Sequence, residues 1–257
     1  ALLLLNAKDI KQAKLTLMTQ KKLNLIFEKN PFKKDSYFAF IPISYYEQIK
    51  KHKIIVSFFK NETKFFKAVE LSVLEGKYKS ETIKVSSKKV KPKDKKIINR
   101  TQKEYKEAMD VYNKKSPEIY WKKDFIYPMN SKITSAFGTK RVYNNTLKSY
   151  HSGTDFKAPT GKNIYAVNDG IVKIASNRFY AGNSVVIDHG QGIYTCYFHL
   201  SKINVKNGQK VKQKEILGLS GSTGRVTGPH LHFSARVHGV QVDPLQLIDT
   251  LNLLKNN

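Results

Sequence analysis

The stretch TGPHLHF, residues 227–233, contains two histidines that are separated by a single leucine. The chain of 257 residues has only 7 histidines, so a pair at this spacing requires an explanation. Successive side chains of a β-strand point to opposite faces, and the even offset therefore places His230 and His232 on the same face. Two imidazoles on one face can bind a metal ion or transfer protons. The same spacing also occurs for structural reasons, so the pair alone leaves both interpretations open.

Three other residues can complete a site around this pair. His151 and Asp155, in the stretch HSGTD, are also an even offset apart and share a face if the segment is extended. His199 lies in the stretch YFHLS, on another predicted strand. Two imidazoles and a carboxylate form a ligand set that zinc accepts, and a catalytic zinc site leaves its fourth position to water. Two further histidines near such a site are suited to act as a general base and as a donor to an oxyanion.

The remaining histidines and the single cysteine receive no catalytic role. On a strand, His199 shares the face of Tyr197 and points away from Cys196, which we expect to be a packed core residue. One cysteine excludes an intramolecular disulfide and a zinc site built from cysteines. The other three histidines are expected in turns or at the surface, with His189 the best placed to support a site; they are His52, His189 and His238.

The candidate site residues lie in a C-terminal region whose pattern predicts β-structure. Alternating or β-branched runs are separated by turns that we expect at Gly190–Gly192, Asn207–Gly208 and Gly221. The runs are GIVKIAS, NSVVID, GIYTCYFHLS and HLHFSARVHG. Residues 118–257 are therefore predicted to form an all-β catalytic domain.

The rest of the chain is predicted to form a small β-rich domain and a linker. In residues 1–90, short runs of β-branched and aromatic residues alternate with polar breaks, which favours a small β-sandwich-like domain. The lysine run at residues 86–96 leads into the predicted linker, residues 91–117, which contains a short helix. Thr101 and Glu104 have the spacing of a capping box. The predicted fold class of the chain is thus predominantly all-β.

The chain is strongly basic, with 46 Lys and Arg residues against 20 Asp and Glu residues and a formal net charge of +26. Such a field attracts polyanions, for example an anionic wall polymer or an anionic membrane surface. Genomic base composition can also produce a lysine excess. Only 5 of the basic residues are arginines, and no nucleic-acid-binding motif is present, so we expect no nucleic-acid partner.

The first residues, ALLLLNA, leave two interpretations open. Leu2–Leu5 followed by Asn6–Ala7 can be the remnant of a signal peptide cleaved after Ala7, or an ordinary first strand. No apolar run approaches the roughly 18 residues of a membrane-spanning helix.

A series of motifs runs from about residue 131 to about residue 245, and together they resemble the lysostaphin- and LytM-type zinc metallopeptidases of peptidoglycan. The matching motifs are ITSAFGTKR, HSGTDF, APTG, AVNDGIV, GNSVVIDHG, YFHLS, GSTGRVTGPHLHF and VDP. The resemblance implies one zinc ion per chain, and it implies that His151, Asp155 and His232 are its ligands. It also implies that His199 and His230 are the catalytic histidines and that an antiparallel β-fold forms an open groove.

The resemblance predicts a zinc peptidase that cuts cross-bridges or stem peptides, as a D,D-endopeptidase, a carboxypeptidase or both, in cell-wall remodelling or cell-shape control. The N-terminal region resembles the extra domain of Gram-negative periplasmic members, so we expect a periplasmic or cell-envelope location. The alternative is a non-catalytic member that binds the wall or activates an amidase, but such members lose zinc ligands. Family members often place a tyrosine near the oxyanion, and neither Tyr143 nor Tyr150 can be assigned that role from the sequence.

Overall fold

Antiparallel strands dominate both of the units into which the chain divides in the computed structural model, which describes residues 1–18, 22–83, 94–143 and 147–255. The first unit comprises Ala1–Lys77 and the C-terminal segment that begins at Asn252, and the second extends from Tyr78 to Leu251. This composition confirms the predicted all-β class. Within the described ranges, no helix is long and apolar enough to cross a membrane.

The first unit consists of two antiparallel sheets that share one hydrophobic core. One sheet has the strand order β1-β5-β4 and the other the order β3-β2-β6-β7. Side chains from both sheets, among them Leu15, Ala39 and Val56, are buried in the same cluster, as expected for a small sandwich-like domain. The strands are β1 (Leu2–Asn6), β2 (Ile10–Leu17), β3 (Leu23–Ile26), β4 (Glu28–Lys29), β5 (Ser36–Phe40), β6 (Lys51–Lys60) and β7 (Thr63–Ser72).

The apolar N-terminal residues, for which two interpretations were open, form a strand. Leu2–Asn6 pairs along its whole length with Ser36–Phe40 in antiparallel register.

The second unit is built around a sheet of 8 strands, in which neighbours follow the order β18-β14-β15-β16-β20-β12-β9 and β21 pairs with β20. Two smaller sheets have the orders β13-β19-β17 and β11-β10-β8. The strands are β8 (Ser80–Ile83), β9 (Ile133–Ser135), β10 (Lys140–Tyr143), β11 (Leu147–Tyr150), β12 (Thr154–Lys157), β13 (Asn163–Tyr165), β14 (Gly170–Arg178), β15 (Gly182–Asp188), β16 (Ile193–Leu200), β17 (Lys202–Ile203), β18 (Lys210–Val211), β19 (Ile216–Leu219), β20 (His230–Val237) and β21 (Val240–Val242).

The predicted linking helix exists, but it begins earlier than the capping-box pattern indicates. Helix α1 spans Lys95–Tyr112, and its N-cap is Asp94, whose side chain accepts a hydrogen bond from the backbone N–H of Lys96. Thr101 lies inside the helix, where its hydroxyl donates to the carbonyl oxygen of Ile98, so the predicted capping box is wrong. Asp94 caps the helix about two turns earlier, so Thr101 is not needed as a cap.

One face of α1 packs on the main sheet of the second unit. Ala108, Met109 and Tyr112 contact a buried cluster that includes Ile174 and Cys196. Cys196 is 1% exposed, and burial raises the pKa of its thiol to about 11. The prediction that Cys196 is a packed core residue is confirmed.

The compact units divide the chain at other points than the predicted domains do. Strand β8 pairs with β10 and α1 packs on β14, so both belong to the second unit rather than to an N-terminal domain or a linker. The predicted boundary at residue 90 and most of the lysine run lie outside the described residues. The chain ends in helix α2 (Pro244–Asn252) and a 3₁₀ turn at Leu253–Lys255, and Leu254 accepts a hydrogen bond from Asn30 within the first unit.

The turn between β15 and β16 requires glycine for two separate reasons. Gly190 has φ of 88°, a left-handed conformation, and a Cβ at this position would overlap the carbonyl group of Glu118. Gly208 has a similar φ of 81°, but no atom lies within 4 Å of the position that its Cβ would take. The two residues therefore separate the conformational cost of a side chain from its steric cost.

We expect Gly208→Ala to lower the free energy of unfolding by about 1–2 kcal/mol, the cost of a left-handed alanine. Gly190→Ala adds a collision with the backbone, so it should lower that free energy by at least twice as much. Urea unfolding followed by the fluorescence of the single tryptophan measures both, because Trp121 is buried in the second unit. Equal losses in the two variants would contradict the steric argument.

Candidate metal centre

Three neighbouring strands of the main sheet position the site. In the register of β12 and β20, Asp155 lies directly opposite His232, and in the register of β16 and β20, Phe198 lies opposite His232. Directly opposite residues of an antiparallel pair share a face of the sheet. The ring of Phe198 stacks on the imidazole of His232 with an interplanar angle of 4°, so His232 is held between the two neighbouring strands.

His151 reaches the same point from the segment between β11 and β12. Its backbone N–H donates to Thr139 and its carbonyl oxygen accepts from Gly138, which fixes the segment on both sides of the side chain. The imidazole Nδ1 lies 3.0 Å from the carbonyl oxygen of Ala136. A carbonyl oxygen can only accept, so Nδ1 carries the hydrogen and the lone pair of Nε2 faces the cluster.

Three donor atoms converge where these residues meet. His151 Nε2, Asp155 Oδ1 and His232 Nδ1 lie 2.8–3.0 Å from one another, and all three residues are buried. Ligand atoms bound to one zinc ion lie roughly 3.3 Å apart, since each is about 2.0–2.2 Å from the metal. Two imidazole nitrogens and a carboxylate oxygen in this arrangement fit a zinc ion, and the fixed hydrogen on His151 Nδ1 leaves the correct nitrogen free.

The electrostatics of the cluster keep its members in their metal-binding forms. Burial alone raises the pKa of Asp155, but the imidazoles of His151 and His232 beside its Oδ1 hold that pKa well below its usual range. Burial lowers the pKa of His232 to about 4, although Asp155 acts in the opposite direction. At neutral pH Asp155 is therefore ionised and His232 is neutral, as a metal ligand must be.

His199 lies beside the cluster because of an irregularity in β16. Its φ is 64°, a left-handed value that is uncommon for any residue other than glycine. The pairing of β15 with β16 changes register between Val185↔Tyr197 and Asn183↔Leu200, which marks a β-bulge at His199. Bulges with such backbone strain occur next to functional sites, where they redirect a side chain.

The bulge corrects one expectation drawn from strand alternation. Regular alternation places His199 on the face of Tyr197, but its ring centroid lies 5.9 Å from that of His232 and 5.0 Å from that of His230. His199 therefore shares the face of Phe198. Its Nδ1 donates to the carbonyl oxygen of Thr223, 2.9 Å away, and burial, followed by the neighbouring histidines, lowers its pKa to about 3.

His230 forms the outer edge of the same group. Its Nδ1 lies 2.9 Å from the carbonyl oxygen of Gly228, and its Nε2 lies 3.6 Å from Asp155 Oδ1. The side chain is 20% exposed, in contrast to the three buried members of the cluster. The structure thus brings together all five residues that the sequence singled out.

His238 lies in a turn, as expected, but two other histidines are placed differently from what the sequence suggested. His189 is fully buried rather than at the surface, and its ring bonds to Asp169 and Thr195, which do not belong to the cluster. His52 is also buried, in the first unit, where it bonds to the carbonyl oxygen of Gln48. The ring of Tyr150 packs on Phe137, an arrangement that gives it no assigned role in the site.

Sequence reasoning missed the polar residues behind the cluster. Arg141 donates to Asp155 Oδ2 at 3.0 Å and to Glu81 Oε1 at 2.6 Å, and Ser135 Oγ lies 3.1 Å from His151 Nδ1. Arg141 lies within the motif ITSAFGTKR, so a signal was present, but only the pairing of β8 with β10 reveals Glu81.

A buried His–Asp–His cluster in an antiparallel sheet, with two further histidines beside it, has the composition of a metal-dependent hydrolase site. Residues 149–244, which contain all five residues, match the model of Peptidase family M23. This segment therefore matches peptidase family M23, and the resemblance seen in the sequence is confirmed.

The relatives of this domain include peptidoglycan enzymes. Peptidoglycan DD-endopeptidase ShyA of Vibrio cholerae is 49% identical over 123 residues, which are 47% of this chain and 29% of ShyA. DD-carboxypeptidase/endopeptidase Mpg of Neisseria meningitidis is 38% identical over 117 residues, 46% of this chain and 27% of Mpg. The chain thus spans less than a third of the length of these relatives.

A solved structure extends the likeness to most of the chain. A crystal structure from Pseudomonas aeruginosa, described as a candidate peptidase M23, covers 96% of this chain and is itself covered to 92%, with 25% sequence identity and a TM-score of 0.68. This likeness supports the predominantly β architecture.

We expect substitutions in the site to distinguish the three residues that bind the metal from the two histidines that do not. His151→Ala, Asp155→Ala and His232→Ala each remove one of the three converging donors, so each purified variant should lose zinc. His199→Ala and His230→Ala leave the three donors in place and should retain about one zinc per chain. Metal content measured by mass spectrometry tests this, and full zinc in the His232 variant would contradict the geometry.

Proposed function

We propose that the chain is a zinc-dependent peptidase that hydrolyses peptide bonds of peptidoglycan. The observation that carries the proposal is the convergence of three buried donor atoms beside two further imidazoles. A cluster built for structure alone would bury three ionisable groups without need, since apolar side chains fill a sheet interior at lower cost.

The roles divide by position in the site. His151, Asp155 and His232 would hold one zinc ion per chain through Nε2, Oδ1 and Nδ1. When bound, zinc polarises a carbonyl oxygen and acidifies a water molecule. The three ligand residues are buried, so they would bind the metal where little solvent reaches it.

His199 is suited to accept a proton. Its Nδ1–H is committed to Thr223, so its Nε2 presents a lone pair, and its lowered pKa of about 3 keeps the ring neutral at neutral pH. A neutral imidazole with a fixed tautomer is the form that a general base requires.

His230 is suited to donate a hydrogen bond to a developing oxyanion. Its Nε2 lies 3.6 Å from Asp155 Oδ1, at the edge of the metal cluster. Its partial exposure also places it where a substrate can arrive. We therefore assign the base to His199 and the donor to His230.

The names of the relatives support the substrate class. ShyA is named a peptidoglycan DD-endopeptidase and Mpg a DD-carboxypeptidase/endopeptidase, and they are similar to this chain over 47% and 46% of its length. A D,D-endopeptidase activity, with or without carboxypeptidase activity, is the form that we propose here. Such an enzyme acts outside the cytoplasm, in the periplasm or cell envelope, and serves wall remodelling or cell-shape control.

A non-catalytic role is the second candidate function. A member that only binds the wall or activates an amidase has no use for a complete ligand set. The presence of all three donors and both additional histidines favours the enzyme.

The proposal predicts that the zinc-loaded chain converts D,D-cross-linked muropeptide dimers to monomers, which mass spectrometry detects. His199→Ala should retain zinc and cut at least about 100-fold more slowly, the usual contribution of a positioned general base. A pentapeptide monomer, offered separately, reports carboxypeptidase activity. A folded, zinc-loaded chain that leaves both substrates intact would favour the non-catalytic alternative.

The excess of positive charge predicts binding to the anionic wall or to an anionic membrane surface. The net charge of +26 acts through a field that salt screens within about 10 Å at 0.1 M. Binding of the chain to purified sacculi should therefore weaken as salt rises from 0.05 to about 0.5 M. Unchanged co-sedimentation across this range would show that the charge has no such role.

A further inference from the structure

A polar chain of three residues connects the metal cluster to the strand with which the second unit begins. Arg141 donates through Nη2 to Asp155 Oδ2 at 3.0 Å and through Nε to Glu81 Oε1 at 2.6 Å. The side chains become more exposed along this chain, from 9% at Asp155 to 16% at Arg141 and 34% at Glu81. The guanidinium is thus held at two positions by two carboxylates.

Arg141 also reaches a second member of the cluster. Its Nη2 lies 3.2 Å from Ser135 Oγ, and Ser135 Oγ lies 3.1 Å from His151 Nδ1. The side of the His151 ring that faces away from the cluster is therefore in the same network as the outer oxygen of Asp155. The Arg141 guanidinium therefore contacts Asp155 directly and His151 through Ser135.

The backbone delivers Glu81 to this position specifically. Strand β8 pairs with β10 in parallel register, and Glu81 lies directly opposite Arg141. The N–H of Lys140 donates to the carbonyl oxygen of Lys79, which continues the contact toward the N-terminus of β8. The ring of Tyr78 then covers Gly138, where a Cβ would overlap it.

The charges explain why such a network matters to a metal ion. A carboxylate with one oxygen bound to a guanidinium presents only its other oxygen, so the contact with Arg141 selects Oδ1 as the atom that faces the cluster. The guanidinium itself repels a divalent cation. The negative charge of Glu81 offsets that repulsion. Its contact with Nε also holds the planar guanidinium of Arg141 in the orientation in which Nη2 reaches Asp155.

We propose that Arg141 and Glu81 are positioning residues of the metal centre, Arg141 by holding Asp155 and Glu81 by holding Arg141. The inference rests on the proposed function, because it concerns the same zinc site. It adds that zinc affinity depends on strand β8, which lies outside residues 149–244, the segment that matches family M23. Neither residue touches the reacting atoms.

The test measures zinc affinity by chelator competition in the full chain, with no dependence on peptidase activity. Glu81→Gln and Arg141→Lys should each weaken zinc binding about 10–100-fold, the usual effect of losing a partner of a metal ligand. Glu107→Gln is the matched control, because Glu107 forms an ion pair with Arg178 at 2.8 Å in the same unit, outside the cluster. The control should keep the parent affinity.

A spectroscopic readout separates positioning from general destabilisation. In the cobalt-substituted chain, release of Asp155 Oδ2 in Arg141→Lys lets the carboxylate bind through both oxygens, which raises the coordination number. The visible absorption of the cobalt should then weaken relative to the parent, since it reports coordination geometry. Glu107→Gln should leave the spectrum unchanged.

A double variant keeps the test decisive if a single variant unfolds. Arg141→Met with Glu81→Met removes both partners of the ion pair together, so no unpaired Glu81 remains, and it should bind zinc as weakly as Arg141→Lys. Parent affinity in the double variant, or in both single variants, would overturn the proposal. Failure of the parent chain itself to bind zinc would instead refute the proposed function, so the two failures are distinguishable.

Discussion

Asp155 carries a carboxylate that burial alone drives toward its neutral form, and the two imidazoles beside it keep it ionised. A buried charge without partners costs several kcal/mol, so the fold must place a partner at each oxygen. His151 Nε2 and His232 Nδ1 lie beside Oδ1, and Arg141 donates to Oδ2. The register of the central strands, the fixed tautomer of His151 and the edge strand β8 all serve this one requirement.

Rigid and irregular backbone are used for different tasks in the site. Asp155 and His232 occupy regular, directly opposed positions on β12 and β20, which suits residues that must hold an ion at fixed distances. His230 begins its strand at an isolated bridge with Gly221, and His199 occupies a bulge. These two imidazoles therefore sit where the ladder is interrupted, so their orientations are set by loop carbonyl oxygens rather than by the sheet.

Much of the fold and of the site could be predicted from the sequence, because the signals involved are local. The alternating runs indicate strands, and the even offsets within HSGTD and PHLHF place side chains on one face. The sequence proposes His199 as a site residue and the structure places it beside the cluster. Strand alternation alone assigns it the wrong face, since the pattern of a single strand does not reveal a bulge. The capping box predicted at Thr101 is wrong for a different reason, because the helix begins earlier and Asp94 caps it.

Long-range pairings account for what the sequence could not supply. Glu81 meets Arg141 only because a parallel pair joins segments that are far apart in the chain, and a glutamate in a polar run gives no local sign of such a partner. The burial of His189 has the same origin, because its ring bonds to Asp169 and packs against Phe125, both distant in the chain.

The left-handed backbone of His199 also has a consequence for how this sequence can change over time. A histidine in that conformation destabilises the fold by about 1–2 kcal/mol relative to glycine, and asparagine tolerates the conformation better. As long as turnover is under selection, the strain is retained. In a lineage freed from that selection, or in a laboratory screen for thermal stability alone, this histidine should be among the first residues replaced. A glycine or asparagine at this position in a homologue would then be a sign that the ancestor was an enzyme and the descendant is not.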